Sequence, residues 1–205
     1  MTTQPYDIQP LRKSDLLAAA KLCAEAMRDN PIHIRVFGTV ATLRQQRLQR
    51  FFPGMLNYLY RKGYLYGIFN DECLIGVLGM LPPGHCQPSM LDLLRLLPTL
   101  LTSNSPAGTA RLVAWLSTWA RIDPTTPHWH LGPLSVAPAW QGQGIGTQLI
   151  EFACSQGQED NLYLETDKQS NVELYAKFGF STLATLTTLD IPSWVMMRHA
   201  AQQDT

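Results

Sequence analysis

Residues Leu134–Ile150 read "LSVAPAWQGQGIGTQLI", a β-type run followed by a glycine-rich loop and an amphipathic helical run. Three glycines alternate in the loop, at Gly142, Gly144 and Gly146. Glycine has no Cβ, so a ligand can approach its backbone closely. The first turn of a helix also offers unpaired N–H groups and the positive end of the helix dipole. The stretch therefore predicts a strand–loop–helix unit that binds an anionic group, such as a pyrophosphate, through backbone amides.

Two better-known phosphate loops fit this stretch poorly. A P-loop ends in Gly-Lys-Ser/Thr, whereas Gly146 is followed directly by Thr147. The dinucleotide fingerprint G-x-G-x-x-G sits tight against its strand. Here the spacing is G-x-G-x-G, and Pro138–Trp140 separates the strand from the loop. The remaining alternative is a tight corner that binds nothing.

The whole chain has the composition of one globular domain. It has 205 residues, 45% hydrophobic and 16% charged, with 16 basic and 16 acidic side chains. This balance argues against a nucleic-acid or membrane-surface partner, since both require a basic excess. The four cysteines form no CxxC pair, and no apolar leader opens the chain, so we expect reduced thiols and a cytoplasmic location. The apolar run Met90–Leu101 is too short to span a bilayer.

Outward from the glycine loop, the hydrophobic periodicity alternates between helical and strand-like. We expect the long second helix to kink or restart at Pro53-Gly54. Its basic side chains Arg44, Arg47, Arg50, Arg61 and Lys62 are interpreted as a solvated face. The predicted order is a strand at Tyr6–Leu11, two helical regions, a hairpin of "YLYGIFN" and "CLIGVLGML", helices at Ser89–Leu101 and Ala107–Arg121, the strand "HWHLGPLSVAP", the glycine loop and its helix, the strand "NLYLET", the helix "NVELYAKFGF" and two closing strands.

At this level of detail the sequence resembles a known family. Gln141, Gly144 and Gly146 match the Q/R-x-x-G-x-G/A acyl-CoA motif of the GNAT N-acetyltransferases. The preceding L-x-V-x-P matches too, and "LYLETDKQSNVELYAKFGF" is similar to the family's late strand–helix segment. That late segment, "WVMMRH" and "RDNPIHIRVF" resemble the puromycin N-acetyltransferase-like branch in particular. The resemblance implies a mixed α/β (α+β) fold with a central, mostly antiparallel, splayed sheet flanked by helices.

The family match also implies a binding site for acetyl-CoA as cosubstrate. In the family, the strand before the loop splays away from its neighbour, and its free amides bind the pantetheine arm as an added strand would. Pro133 fits an interruption of the ladder, and the Val136 amide is the candidate oxyanion donor. The residues expected to bind the cosubstrate are Leu134, Ser135, Val136, Gln141, Gly142, Gln143, Gly144, Ile145, Gly146, Thr147, Asn171 and Tyr175.

Two side chains are candidates for proton transfer. Asn171 and Tyr175 are four apart on a helix and share a face, and the resemblance implies that Tyr175 protonates the departing thiolate. The alternative is a tyrosine that packs with its hydroxyl in water. Glu165 ends a strand on the same face as Tyr163. It is the candidate general base, with anchoring of a cationic substrate or bonding to a neighbouring loop as alternatives.

No metal is expected. His128 and His130 share one side of a strand, but the sequence shows no third ligand near them, so they are interpreted as partly exposed strand histidines. His85 and Cys86 lie in a proline-rich loop and receive the same interpretation.

These elements predict a single N-acetyltransferase domain over residues 1–200, with a flexible tail at 201–205. A helical insertion at 84–127 is expected to cover the acceptor site, with the Asn30–Gly38 loop opposite. The leucines and tryptophans of the insertion favour an apolar or amphipathic amine.

The predicted activity is transfer of acetyl from acetyl-CoA to a primary amine of a small molecule by direct attack. An acyl-enzyme at Cys154 is disfavoured, because that cysteine lies on the apolar helix after the loop. The alternatives are a non-catalytic acyl-CoA sensor and an acyltransferase with a longer acyl donor. The protein is expected to be a monomer or a homodimer.

Overall fold

The structure, a computed structural model, describes residues 6–200. The predicted tail at 201–205 and the first five residues of the predicted domain lie outside this range. The helices are α1 (Leu16–Ala26), α2 (Pro31–Phe37), α3 (Ala41–Lys62), α4 (Met90–Thr102), α5 (Pro106–Ile122), α6 (Ile145–Gln156) and α7 (Gln169–Ala176). The strands are β1 (Ile8–Pro10), β2 (Tyr64–Asn70), β3 (Cys73–Leu81), β4 (His128–Val136), β5 (Asn161–Thr166), β6 (Ser181–Thr188) and β7 (Ile191–Arg198).

Within the described residues, the strands form one sheet in the order β1-β2-β3-β4-β5-β7-β6. Neighbouring strands are antiparallel except β4 and β5, which are parallel. One face packs against α6 and α7 through a cluster that includes Leu78, Ile145 and Leu164. The other face packs against α1, α3 and α5, with Val77 and Leu112 at its core. The predicted mixed fold is confirmed.

The ladder between β4 and β5 is short, and this positions the site. The two strands pair only from His128 to His130 on β4 and from Asn161 to Tyr163 on β5. Beyond these positions, β4 continues to Val136 paired with β3 alone, and β5 continues to Thr166 paired with β7 alone. The sheet is therefore splayed, and a gap opens between the carboxyl ends of two parallel neighbours.

A bulge in β4 stands at the beginning of this gap. Leu78 pairs with Leu134 and Met80 with Leu131, so Gly132 and Pro133 both lie opposite Gly79. A Cβ on Gly79 would come within 2.4 Å of the Gly132 carbonyl oxygen, so this position requires glycine. The interruption expected at Pro133 is confirmed, because proline has no N–H to donate to a ladder.

Three local expectations differ from the structure. Residues 31–37 form helix α2 rather than a loop, since Pro31 at the first helical position is compatible with a helix start. Helix α3 runs through Pro53 without a break, because burial of Phe51, Phe52 and Leu56 around the proline holds it against the core.

Arg44 is also not solvated. Only 4% of its side chain is exposed, and its guanidinium donates to the carbonyl oxygens of Arg28, Gly38 and Thr39 and to Asp29. A buried arginine is stable only when its donors are paired, and the corner formed by α1, α2 and α3 provides those acceptors.

Candidate active site

The glycine loop projects from the end of β4 into solvent. Gln141–Gly144 are exposed, while Ile145 is buried and begins α6. Gly142 and Gly144 have φ values of +74° and +81°, a region that favours glycine. Gly146 has an ordinary φ, and a Cβ there would meet nothing closer than Val136 Cγ2 at 3.8 Å. The protein alone therefore leaves room in front of the amides of α6.

The backbone of β4 presents free amides to the gap. The Ala137 N–H donates to the Ile75 carbonyl on β3 at 2.9 Å. Because successive residues of a strand point to opposite sides, the N–H groups of Leu134 and Val136 point away from β3, towards the side that β5 has left. The Val136 carbonyl lies on that same side and accepts a hydrogen bond from Gln141 Nε2 at 3.0 Å. The side chain of Gln141 thus fastens the loop to the strand.

Tyr175 and Glu165 lie on opposite faces of the sheet. Tyr175 is buried in the same cluster as Ile145 and Leu164, and burial raises the pKa of its phenol to about 12. Its hydroxyl is therefore protonated at neutral pH and available as a donor. Asn171, one turn earlier, donates from Nδ2 to Thr166 Oγ1 at 3.1 Å.

Glu165 lies on the other face and is almost completely buried, with 2% of its side chain exposed. Its Oε2 is 2.9 Å from His130 Nε2 across the start of the splay. A carboxylate only accepts, so His130 donates from Nε2. Within the described residues, Glu165 Oε1 and the neighbouring Tyr163 hydroxyl have no hydrogen-bond partner. Burial, and then the negative charge of Glu165, raise the pKa of Tyr163.

Glu165 belongs to a buried polar cluster that sequence reasoning missed. Asp123 follows the end of α5, and its Oδ1 is 3.2 Å from His128 Nε2 and 3.9 Å from His130 Nδ1. Ligand atoms of Cys86, His128 and His130 lie within 4.8 Å of one another. The expectation that no third ligand lies near the two histidines is therefore wrong. His128 is also not partly exposed, since 3% of its side chain is accessible.

Burial lowers the pKa of both histidines, but their acidic neighbours have the larger combined effect. The contact with Asp123, and then the one with Cys86, raise the pKa of His128 to about 10. The negative charges of Glu165 and, to a smaller extent, Asp123 raise the pKa of His130. The signal for Glu165 and its histidine partner was available in principle, because strand alternation puts His128, His130, Tyr163 and Glu165 on one face. Pairing His130 with Glu165 also requires the register of β4 against β5, which cannot be read from the sequence.

Helix α2 and the inserted helices, which are expected to bind the acceptor, contact residues next to this site. Asp167, just after β5, accepts a hydrogen bond from the Ile32 N–H of α2 at 2.7 Å. The ring of His33 packs on Trp115 of α5 with centroids 5.5 Å apart. A groove of about 350 Å³ lies between α2, α5 and β7, lined by residues that include Ile34, Arg35 and Arg111. The predicted helices of the insertion are confirmed as α4 and α5, but five α4 side chains expected to line the acceptor site are exposed instead: Leu91, Leu93, Leu94, Leu97 and Leu101.

The chain belongs to the GNAT acetyltransferases: the model of the Acetyltransferase (GNAT) family matches residues 35–180. No curated protein matches the chain in sequence. The chain has the fold of a Corynebacterium glutamicum protein described as histone acetyltransferase HPA2 and related acetyltransferase. The two are 19% identical with a TM-score of 0.76, over 98% of this chain and 100% of the other.

Other solved structures of this fold contain coenzyme A or are named for an amine substrate. An aminoglycoside 6'-N-acetyltransferase in complex with coenzyme A is 14% identical with a TM-score of 0.55, over 97% of this chain and 99% of the other. Arylalkylamine N-acetyltransferase 2 from Aedes aegypti is 13% identical with a TM-score of 0.57, over 97% and 100%. Family and fold together support acyl transfer from a CoA thioester. Among residues 6–200, no helix is long and apolar enough to cross a membrane.

Proposed function

We propose that the protein transfers an acetyl group from acetyl-CoA to a primary amine of a small molecule by direct attack. The observation that carries this proposal is the gap between β4 and β5, which opens directly before an exposed glycine loop at the start of α6. A loop of this kind suits a pyrophosphate, and the free strand edge suits an extended amide-bearing arm. CoA contains both.

The acetyl-CoA donor would lie along the glycine loop and the free edge of β4. The pyrophosphate would contact the amides from Gln141 to Thr147, and the pantetheine would pair with the backbone of Leu134 and Val136, whose N–H groups face the gap. Ser135 does not fit this path, because its backbone faces β3, where it pairs with Val77, and its buried hydroxyl faces Cys23. Asn171 would meet the far side of the arm through its Oδ1, because its Nδ2 is already bonded to Thr166.

In the proposed reaction, the amine nitrogen attacks the thioester carbonyl carbon, and the carbonyl oxygen gains negative charge that the Val136 N–H stabilises. Glu165 accepts the proton that the amine loses, directly or through a water molecule. The C–S bond then breaks, and Tyr175 donates its phenolic proton to the departing thiolate. The position of Tyr175 and Glu165 on opposite faces of the sheet suits this division, since the amine approaches the carbonyl carbon from one direction and the thiolate departs in another.

The acceptor would enter on the face that carries Glu165, between α2 and the inserted helices at 84–127. The exposed α4 leucines remove one argument for an apolar amine, but Trp115 and Trp119 still pack beside His33 and α2. We therefore retain an amphipathic amine with an apolar body as the proposed acceptor class. The puromycin-like branch stays a prediction.

Calorimetric titration with acetyl-CoA, with NAD and ATP as controls, tests the donor site. Micromolar binding of acetyl-CoA alone supports the proposal, and a preference for NAD overturns it. Thiol release with a panel of arylalkylamines, agmatine and aminoglycosides then tests the acceptor class. Binding without turnover on any amine would favour the alternative of an acyl-CoA sensor, and faster turnover with longer acyl-CoAs would favour a different acyl donor.

A further inference from the structure

The polar cluster beside the active site has the composition and geometry of a metal site. Cys86 comes from the loop before α4, Asp123 from the end of α5, and His128 and His130 from alternate positions of β4. These are the ligand types that zinc prefers in proteins. A His-x-His pair on a strand directs both rings to one face, so the two rings converge without any backbone distortion.

The hydrogen bonds of the two histidines fix which nitrogen of each ring is free. His128 Nδ1 is 2.7 Å from the Thr126 carbonyl oxygen, which only accepts, so Nδ1 carries the proton. His130 Nε2 likewise donates to Glu165. In the neutral rings, lone pairs therefore remain on His128 Nε2 and His130 Nδ1.

Both lone-pair nitrogens point at the same carboxylate oxygen. Asp123 Oδ1 is 3.2 Å and 3.9 Å from them. Within residues 6–200, all three atoms are buried and have no hydrogen-bond partner. Without a metal, a proton on His128 Nε2 compensates the charge of Asp123; a metal ion would replace that proton and contact all three atoms. With Zn–N and Zn–O bonds of about 2 Å, neighbouring ligand atoms of a tetrahedral site are roughly 3.3 Å apart, which is close to the separations observed.

The surroundings are those of a supported metal site. Metal-bound histidines commonly donate their second N–H to a carbonyl or a carboxylate, as His128 does to Thr126 and His130 to Glu165. The other oxygen of Asp123 is 3.3 Å from Gln87 Nε2. The ligand atom of Cys86 lies within 4.8 Å of those of His128 and His130. Asp123, next to both histidines, lies outside this group of three and would be the fourth ligand.

We propose that Cys86, Asp123, His128 and His130 bind a zinc ion that fastens both ends of the helical insertion to the sheet. Cys86 precedes α4 and Asp123 follows α5, so the ion closes the loop that contains both helices. It also holds His130 in the tautomer that donates to Glu165. The site is separate from the residues that would bind CoA, and the proposal does not depend on the identity of the acceptor.

The test measures metal on the full-length chain without a polyhistidine tag. Elemental analysis is expected to find about one zinc per chain, and chelation is expected to lower Tm by about 10 °C, with recovery on zinc addition. After exchange with cobalt, tetrahedral d–d bands and a thiolate charge-transfer band should appear. Cys86→Ser should lose the charge-transfer band, and the double variant His128→Gln/His130→Gln should lose the metal.

His85→Gln is the matched control, since His85 is an exposed neighbour of Cys86 in the same loop, and it should keep the zinc. The cobalt spectrum of the wild-type chain needs no variant, so a variant that fails to fold leaves the test intact. Folded wild-type protein that binds less than a tenth of an equivalent of zinc would overturn the proposal. So would unchanged binding in the double variant, or a cobalt spectrum without sulfur ligation.

Discussion

The two sides of the β4–β5 gap are built in different ways. The CoA side consists of the end of β4, the glycine loop, α6 and α7, which are consecutive in sequence from 131 to 180. The acceptor side combines α2, the loop at Cys86, the end of α5 and the face of β5 that carries Glu165, which are distant in sequence. The first side can work through backbone amides and a few local side chains. The second depends on buried charges that stabilise one another only when the whole domain is assembled.

The largest effect is expected at Tyr175. Tyr175→Phe removes the proposed proton donor and leaves the packing of the ring unchanged, so kcat should fall by about 10³-fold, while acetyl-CoA affinity changes little. Steady-state kinetics and calorimetry measure the two quantities. Tyr66→Phe, on a ring that packs against Phe152 of α6, is the control and should keep wild-type kcat. Equal loss in both variants would show that Tyr175 has only a packing role.

Glu165→Gln should lower kcat/KM by about 10²-fold, because the amide cannot accept the proton of the amine. The same variant tests how the two sides of the gap depend on each other, since acetyl-CoA binding should remain. Glu151→Gln, on the exposed face of α6, is the control. A loss that persists at high pH indicates that Glu165 acts as the base, because even a neutral amine loses a proton when it attacks. A loss that disappears at high pH, where the amine is no longer cationic, points to substrate anchoring.

Arg44→Lys should lower the free energy of unfolding by about 2 kcal/mol, since a lysine cannot reach the carbonyls of Arg28, Gly38 and Thr39 together. Urea unfolding measures this change, with the exposed Arg50→Lys as control. Acetyl-CoA affinity in native buffer should be unchanged, because the corner lies on the acceptor side. A stability equal to that of the control would mean that the hydrogen bonds of the Arg44 guanidinium contribute nothing to the free energy of unfolding.

Gly146→Asp should weaken acetyl-CoA binding by about tenfold, or about 1.4 kcal/mol, without loss of Tm. A Cβ has room at Gly146, and α6 has no acidic residue in its first turn. A carboxylate there interacts favourably with the helix dipole but repels a pyrophosphate. Gly146→Asn separates charge from size and should weaken binding less. A variant in which Tm and affinity fall together would indicate damage to the loop rather than charge repulsion.

The smallest effect concerns acid stability. Hydrogen bonds from Arg28 and then Arg44 lower the pKa of Asp29 to about 2. A carboxyl whose folded pKa is depressed stabilises the fold above its unfolded pKa of about 4 and loses that contribution as pH falls towards 2. Asp29 is largely exposed, so the contribution is well under 1 kcal/mol. Asp29→Asn should therefore reduce stability slightly at pH 6 and not at pH 2, as chemical unfolding at the two pH values can show.

The sequence by itself determined the strand, glycine loop and helix from Leu134 to Ile150, the family, and the hairpin and inserted helices. These follow from local rules, because turn glycines, periodicity and helix ends depend on residues a few positions apart. It also placed Tyr163 and Glu165 on one face of β5.

Only the tertiary structure decided the rest. The register of β4 and β5 brought His130 to Glu165, and the packing of the insertion brought Cys86 and Asp123 to the histidines. Burial of Phe51, Phe52 and Leu56 carried α3 through Pro53, and three carbonyl acceptors at one corner allowed Arg44 to be buried. In each case the contribution to the free energy of folding depends on partners that are far away in the chain. A buried charge, or a proline inside a helix, is destabilising alone and is tolerated only when its neighbours are in place.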